Sequence, residues 1–237
     1  LQHQGVNYLA VAFADEGVLL RERGIRMPIV VLNADEGSFD LMVAHRLEPE
    51  IYNFRSLAFF SKAVERVGEE SYPIHIKLDT GMHRLGFMEG ELDMLTETLG
   101  ETPSVKVATI FSHLNCSDMP QEDRYTREQI ARFDRMSGRL AAALPYPVLR
   151  HTANSAAIER FPEAQFDMCR LGLGLYGFGF EHNDELKPVS TLKSRIVQLK
   201  HLSAGEAVGY GRAGKLTRDS VTATVPMGYA DGLDRHL

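Results

Sequence analysis

Between Ile74 and Phe87 the sequence reads IHIKLDTGMHRLGF, which places a lysine, an aspartate and an arginine where an apolar strand comes to its end. Alternation along Ile74-His75-Ile76-Lys77-Leu78-Asp79 puts His75, Lys77 and Asp79 on one face and the aliphatic residues on the other. Such a face suits proton transfer or the grip of an anion; the plainer alternatives are a solvated edge strand and, for Asp79, a cap on the Thr80-Gly81 turn. His113 ends the run IFSHLN, where a satisfied core histidine is the ordinary alternative to a functional one. RHTANSAAIERF ends a strand at His151 and starts a helix with Asn154 or Ser155 as its N-cap. Free amides at a helix start attract anions, although capping alone explains most such pairs. In CRLGLGLYGFGF, Arg170 stands at a strand end before glycines at 172, 174, 177 and 179, which allow a ligand close to the backbone or simply serve a tight turn.

These residues need elements to position them. Seven short apolar runs alternate with amphipathic segments: 7–13, 28–33, 50–54, 72–79, 105–113, 146–152 and 166–172. Helices are predicted over ADEGVLLRERG, SLAFFSKAVERVG and QEDRYTREQIARFDRMSGRLAAAL. Continuous βα alternation suggests a doubly wound sheet or a (β/α)₈ barrel, and no G-x-G-x-x-G follows any strand, which favours the barrel. Eight strands are required, so the first is expected upstream of Leu1, and the α/β barrel domain is read as 1–187. After Lys187 the texture turns to β-branched runs without long helices, and 188–237 reads as the start of a mostly β domain. With the first strand added, Asn154-Ser155 follows strand seven and Gly172-Leu173 follows strand eight, the loops from which phosphate sites in barrels are often built.

Composition narrows the partners. With 44% apolar residues, 24% charged residues and a formal net charge of -6, the chain has no field that would attract nucleic acid or an anionic membrane. Cys116 and Cys169 lack metal-ligand spacing, so no metal is expected, and a reducing, cytoplasmic compartment is. No apolar run approaches a membrane span of roughly 18 residues, and the start LQHQGVNYLA has no signal-peptide pattern.

The segments KLDTGMHRLGF, HTANSAAIERFP, RLGLGLYG, GYGR and GYADGLDR, in that order, resemble the alanine racemase family over essentially the whole chain. The resemblance implies a pyridoxal-phosphate enzyme interconverting L- and D-alanine for peptidoglycan, built as a barrel plus a β domain and working as a homodimer with a shared active site. It implies that Arg170 hydrogen-bonds the cofactor's pyridine nitrogen, with His113 behind it. Ser155, beside Asn154 and with the backbone of Gly172 and Leu173, would hold the phosphate. Arg84 would contact the cofactor's phenolic oxygen and the substrate carboxylate, and Lys77 matches a lysine often carried as a carbamate. Tyr210 would be the catalytic tyrosine serving the opposite subunit, with Tyr229 near the same site.

An arginine against the pyridine nitrogen does not yield its proton, whereas a carboxylate there would favour decarboxylation or transamination. The family's Schiff-base lysine segment, of the form K-A-x-A-Y-G-H-G, has no counterpart here. Lys62, Lys106, Lys187, Lys193, Lys200 and Lys215 are read as helical, connecting or second-domain residues. The chain is therefore expected to be an internal piece of a longer enzyme and inactive alone. The competing readings are another pyridoxal-phosphate barrel enzyme, either a different racemase or a decarboxylase, and a non-catalytic binding or dimerisation module fused to a cell-wall enzyme.

Overall fold

The computed structural model describes every residue except 182–184, 235 and 237. It divides into two compact units, Leu1–Lys187 and Pro188–Leu237.

In the first unit six parallel strands lie in sequence order: β1 (Leu9–Val11), β2 (Ile29–Val31), β3 (Glu48–Ile51), β4 (Tyr72–Lys77), β5 (Val105–Phe111) and β6 (Leu149–His151). Helices fill the crossovers: α1 (Ala14–Glu22), α2 (Phe39–Ala44), α3 (Phe54–Arg66), α4 (Leu92–Gly100) and α5 (Asp123–Ala143), with α6 (Ser155–Arg160) following β6. Strand follows helix follows strand with each new strand beside the last, which is the winding of a barrel wall and not of a doubly wound sheet.

The reasons for these elements are local. Asn53 caps α3, accepting from Ser56 N at 2.7 Å, and the helix then buries Leu57, Phe60 and Val64 at helical spacing. Phe60 packs edge to face on Phe39 of α2 and Tyr72 of β4. From the strands, Ile29, Val31, Ile51, Ile74, Ile76, Val107 and Ile110 are buried in the same core. α5 adds Phe133, Met136 and Leu140 to it.

Two strand expectations need correction. The run 166–172 forms no strand: its backbone bonds to β6 and the residues after it are Asp167 N to Arg150 O and Arg170 N to Ala153 O, both 3.0 Å, too few to make a ladder. Phe166, at φ 48°, breaks the extended path there and sets its ring against Phe133 of α5. β3 also begins at Glu48, not at Glu50. Glu-Pro-Glu reads as a turn in isolation, but both carboxylates are buried against side chains of β4. Lys106, expected off the strands, is the second residue of β5, with its ammonium over the Tyr146 ring.

In the second unit β7 (Gln198–Leu202) pairs antiparallel with β10 (Ser220–Thr224), and β8 (Ala207–Val208) pairs antiparallel with β9 (Gly214–Lys215).

Candidate active site at the strand ends

The polar residues of the first unit converge at the C-terminal ends of β4, β5 and β6. Lys77 is the last residue of β4, and its ammonium lies 3.1 Å from Glu50 Oε1 of β3 and 4.8 Å above the centre of the Phe111 ring. Both side chains are buried. Burial raises the Glu50 carboxyl above the usual carboxylate range and lowers the Lys77 ammonium, while each partner pulls the other back toward its charged form.

Arg170 spans the next two strand ends. Its NH1 donates to His151 Nδ1 at 2.8 Å. Its NH2 donates to Ser112 O at 2.8 Å, Thr152 O at 3.1 Å and His113 Nδ1 at 3.2 Å. The bonds from this guanidinium to described residues leave from its two terminal nitrogens, so Nε keeps its N–H without a partner among them. Burial pulls Arg170 down to about 10, against Glu50, which raises it. The side chain therefore stays protonated at neutral pH.

Two imidazoles flank this cation and are kept neutral. Burial, then the charges of Arg170, Lys77 and Arg84, push His113 down to about 4. Burial and Arg170 hold His151 well below the usual histidine range. His151 also stacks on Phe111, its partner across the β5–β6 register, with ring centroids 4.9 Å apart.

A second group forms where α6 begins. Asn154 caps the helix by accepting from Ala157 N at 3.0 Å. Ser155 Oγ accepts from Gly172 N at 3.0 Å and Gly174 N at 3.2 Å, drawing the glycine loop onto the helix start. Leu173, between those two amides, is exposed.

Asp79 is the turn former that its place before Thr80-Gly81 suggests. It accepts from Gly81 N at 2.9 Å and from His83 N at 3.0 Å. Arg84, on the same turn, is exposed, and its charge is felt by Glu50, Lys77 and His113.

The structure thus brings Lys77, His113 and Arg170 together, and separately Asn154, Ser155 and Gly172. It shows no surroundings for Tyr210, which is 97% exposed in a turn of the second unit, and Tyr229 is 70% exposed there. Sequence reading missed Glu48, Glu50, Thr109 and the part played by His151. An acidic pair flanking a proline offers no strand signal, and Thr109 lies inside a run of apolar β-formers. Among the described residues no group of His, Cys, Asp and Glu could hold a metal ion, and no helix is long and apolar enough to cross a membrane.

The sequence matches the family model described as alanine racemase, N-terminal domain, over residues 1–179, and that described as alanine racemase, C-terminal domain, over 189–237. An alanine racemase of Sorangium cellulosum is 36% identical over all of this chain and 64% of its own length. One from Clostridium novyi is 36% identical over all of this chain and 62% of its own. The solved alanine racemase from D-cycloserine-producing Streptomyces lavendulae superposes with a TM-score of 0.91 at 28% identity, over 99% of this chain and 63% of that one. That of Clostridium difficile 630 gives 0.86 at 29% identity, over 99% and 63%. The chain therefore spans less than two thirds of the length of these relatives.

Proposed function

We propose, from the premise that this chain belongs to the alanine racemase family, that the whole protein interconverts L- and D-alanine with bound pyridoxal 5'-phosphate and supplies D-alanine for peptidoglycan. We propose further that it does so in the cytoplasm as a homodimer.

The observation that supports this best is the state of Arg170. A guanidinium fixed by both terminal nitrogens, with one N–H left over, fits a single in-plane acceptor such as a pyridine nitrogen. Because it stays protonated at neutral pH, it donates a hydrogen bond without surrendering its proton. When bound, the cofactor supplies the electron sink that lets an amino acid lose its α-proton. Arg170 limits how far that sink draws charge, which favours return of the proton over decarboxylation and so supports the racemase reading over a decarboxylase.

The other roles follow from placement. The amides of Gly172 and Gly174 are gathered on the Ser155 hydroxyl, and Ser155 with the backbone of Gly172 and Leu173 would hold the phosphate. Arg84 would orient the substrate carboxylate, its charge lying close enough to act on Lys77 and His113. Tyr210 would move a proton at the substrate α-carbon, with Tyr229 beside the substrate. A phenol with an ordinary pKa near about 10 needs an activating neighbour. The exposure of Tyr210 within its own unit supports a setting completed by the second subunit.

The test is direct. The whole protein mixed with pyridoxal phosphate should gain a visible absorption band, and chiral chromatography should show D-alanine appearing from L-alanine and the reverse. A folded protein that gains the band and racemises no amino acid would overturn the reading. Arg170→Glu should keep the band and lose racemisation by about 100-fold or more, the scale of one well-placed electrostatic donor, while decarboxylation or transamination products rise.

A further inference from the structure

We infer that Glu48, His75, Thr109 and His151 form one buried, directional line of hydrogen bonds whose function is to position Arg170. Each member comes from a successive strand. Glu48 Oε2 of β3 lies 2.8 Å from His75 Nε2 of β4. His75 Nδ1 lies 2.8 Å from Thr109 Oγ1 of β5, its partner in the strand register. Thr109 Oγ1 lies 3.0 Å from His151 Nε2 of β6, and His151 Nδ1 receives Arg170 NH1 at 2.8 Å. All four members are at least nine-tenths buried, at 8%, 1%, 0% and 4% exposure, so water does not complete these bonds.

The line can point only one way. A guanidinium has donors and no acceptor, so His151 Nδ1 must accept and its single N–H must sit on Nε2. That N–H donates to the Thr109 hydroxyl, which turns its own hydrogen to His75 Nδ1. His75 then carries its N–H on Nε2, donated to the Glu48 carboxylate. Charging His151 would set its Nδ1–H against the Arg170 guanidinium, leaving a buried group unmatched at a cost of about 1–3 kcal/mol. The low proton affinity of His151 agrees with this arrangement.

Arg170 at one end and Glu48 at the other set the direction, and Thr109 joins the two halves because a hydroxyl both accepts from one ring and donates to the other. The two imidazoles are thereby locked as Nε2–H tautomers, and the bond to His151 fixes the guanidinium plane and hence where Nε points. Glu48, His75 and Thr109 reach Arg170 only through His151 and are positioning residues. This holds whatever Arg170 binds, so it does not rest on the proposed reaction.

The experiment is ¹⁵N NMR of the whole protein labelled at its histidine rings. His151 should show the shifts of a neutral Nε2–H ring that do not move as pH is varied around neutrality, and His75 Nδ1 should show the shift of an acceptor of the Thr109 hydroxyl. Thr109→Val, which keeps the volume and deletes the hydroxyl, should shift the His151 Nε2 and His75 Nδ1 resonances, the two ring nitrogens that lose their partner, and Thr109→Ser should restore them. In the loaded enzyme Thr109→Val should lower kcat by about tenfold with KM little changed, and Thr109→Ser should recover it. A wild-type spectrum with His151 charged or protonated at Nδ1 overturns the inference even if no variant folds. So does a folded Thr109→Val protein whose ring shifts match the wild type.

Discussion

Glu50 and Lys77 set the charge of the site at the scale of single residues. A pair 3.1 Å apart with both side chains buried carries a large desolvation cost, and its attraction opposes that cost by pulling each member toward its charged form. A carbamate on Lys77 would require a neutral amine and would set a second anion against Glu50. We propose that Lys77 stays an ammonium, with Glu50 as the anion facing the Arg84 and Arg170 charges. The whole protein supplied with ¹³C-bicarbonate should show no carbamate carbon. Glu50→Gln leaves the ammonium without its counter-ion, should destabilise the fold by about 3 kcal/mol in urea denaturation, and should let a carbamate signal appear as the amine loses its proton. A full carbamate signal in the wild type would show instead that Lys77 is modified and Glu50 protonated. None of this was legible beforehand: IHIKLD announces its charges, but Glu50 acquires its meaning only from the register that pairs β3 with β4.

The turn from Asp79 to Phe87 is the element that carries Arg84, and its geometry is closed by backbone bonds from Asp79 N to Phe87 O at 3.0 Å and from Phe87 N to Lys77 O at 2.9 Å. Gly86 sits in this closure at φ 126°, where a Cβ would lie 2.6 Å from Asp79 N and 2.7 Å from Leu78 C. Backbone cannot move aside as a flexible side chain can. Gly86→Ala should therefore destabilise by more than about 2 kcal/mol and raise KM for the amino acid, whereas Gly90→Ala, with open space at its Cβ, should stay within about 0.5 kcal/mol. Denaturant midpoints and initial rates on the two variants check this, and equal effects would remove the steric account. At this scale the sequence is legible where chemistry is local. The βα succession showed in alternating apolar runs, and Asn154 as a cap and Asp79 as a turn former follow from their neighbours in the chain. It is illegible where a partner distant in sequence decides. FDMCRLG has the composition of a strand, yet Phe166 turns out of it to meet α5, and Glu-Pro-Glu has the composition of a turn, yet β4 holds it extended.

For the whole molecule, the buried imidazoles make stability depend on pH. His113 titrates near about 4 in the fold, and His151 also lies well below its ordinary value. The unfolded chain takes up these protons near pH 6.5. Between those values the unfolded state binds more protons than the folded one, so stability rises with pH and is lost on acidification. Each histidine that stays neutral contributes at most roughly 1.4 kcal/mol per pH unit. Glu50 works against them: its carboxyl, raised by burial, takes a proton in the fold before the unfolded chain would, offsetting up to one of the two. The net expectation is a loss equivalent to one to two protons as pH falls below about 6.5. Guanidinium midpoints measured at about pH 7 and about pH 5 should differ accordingly, and His151→Asn should flatten the slope by close to one proton whatever it does to stability at neutral pH. Midpoints that do not shift would mean that the imidazoles charge within the fold. His151 would then set a ring N–H against the Arg170 donor, and the bond that fixes Arg170 could not exist.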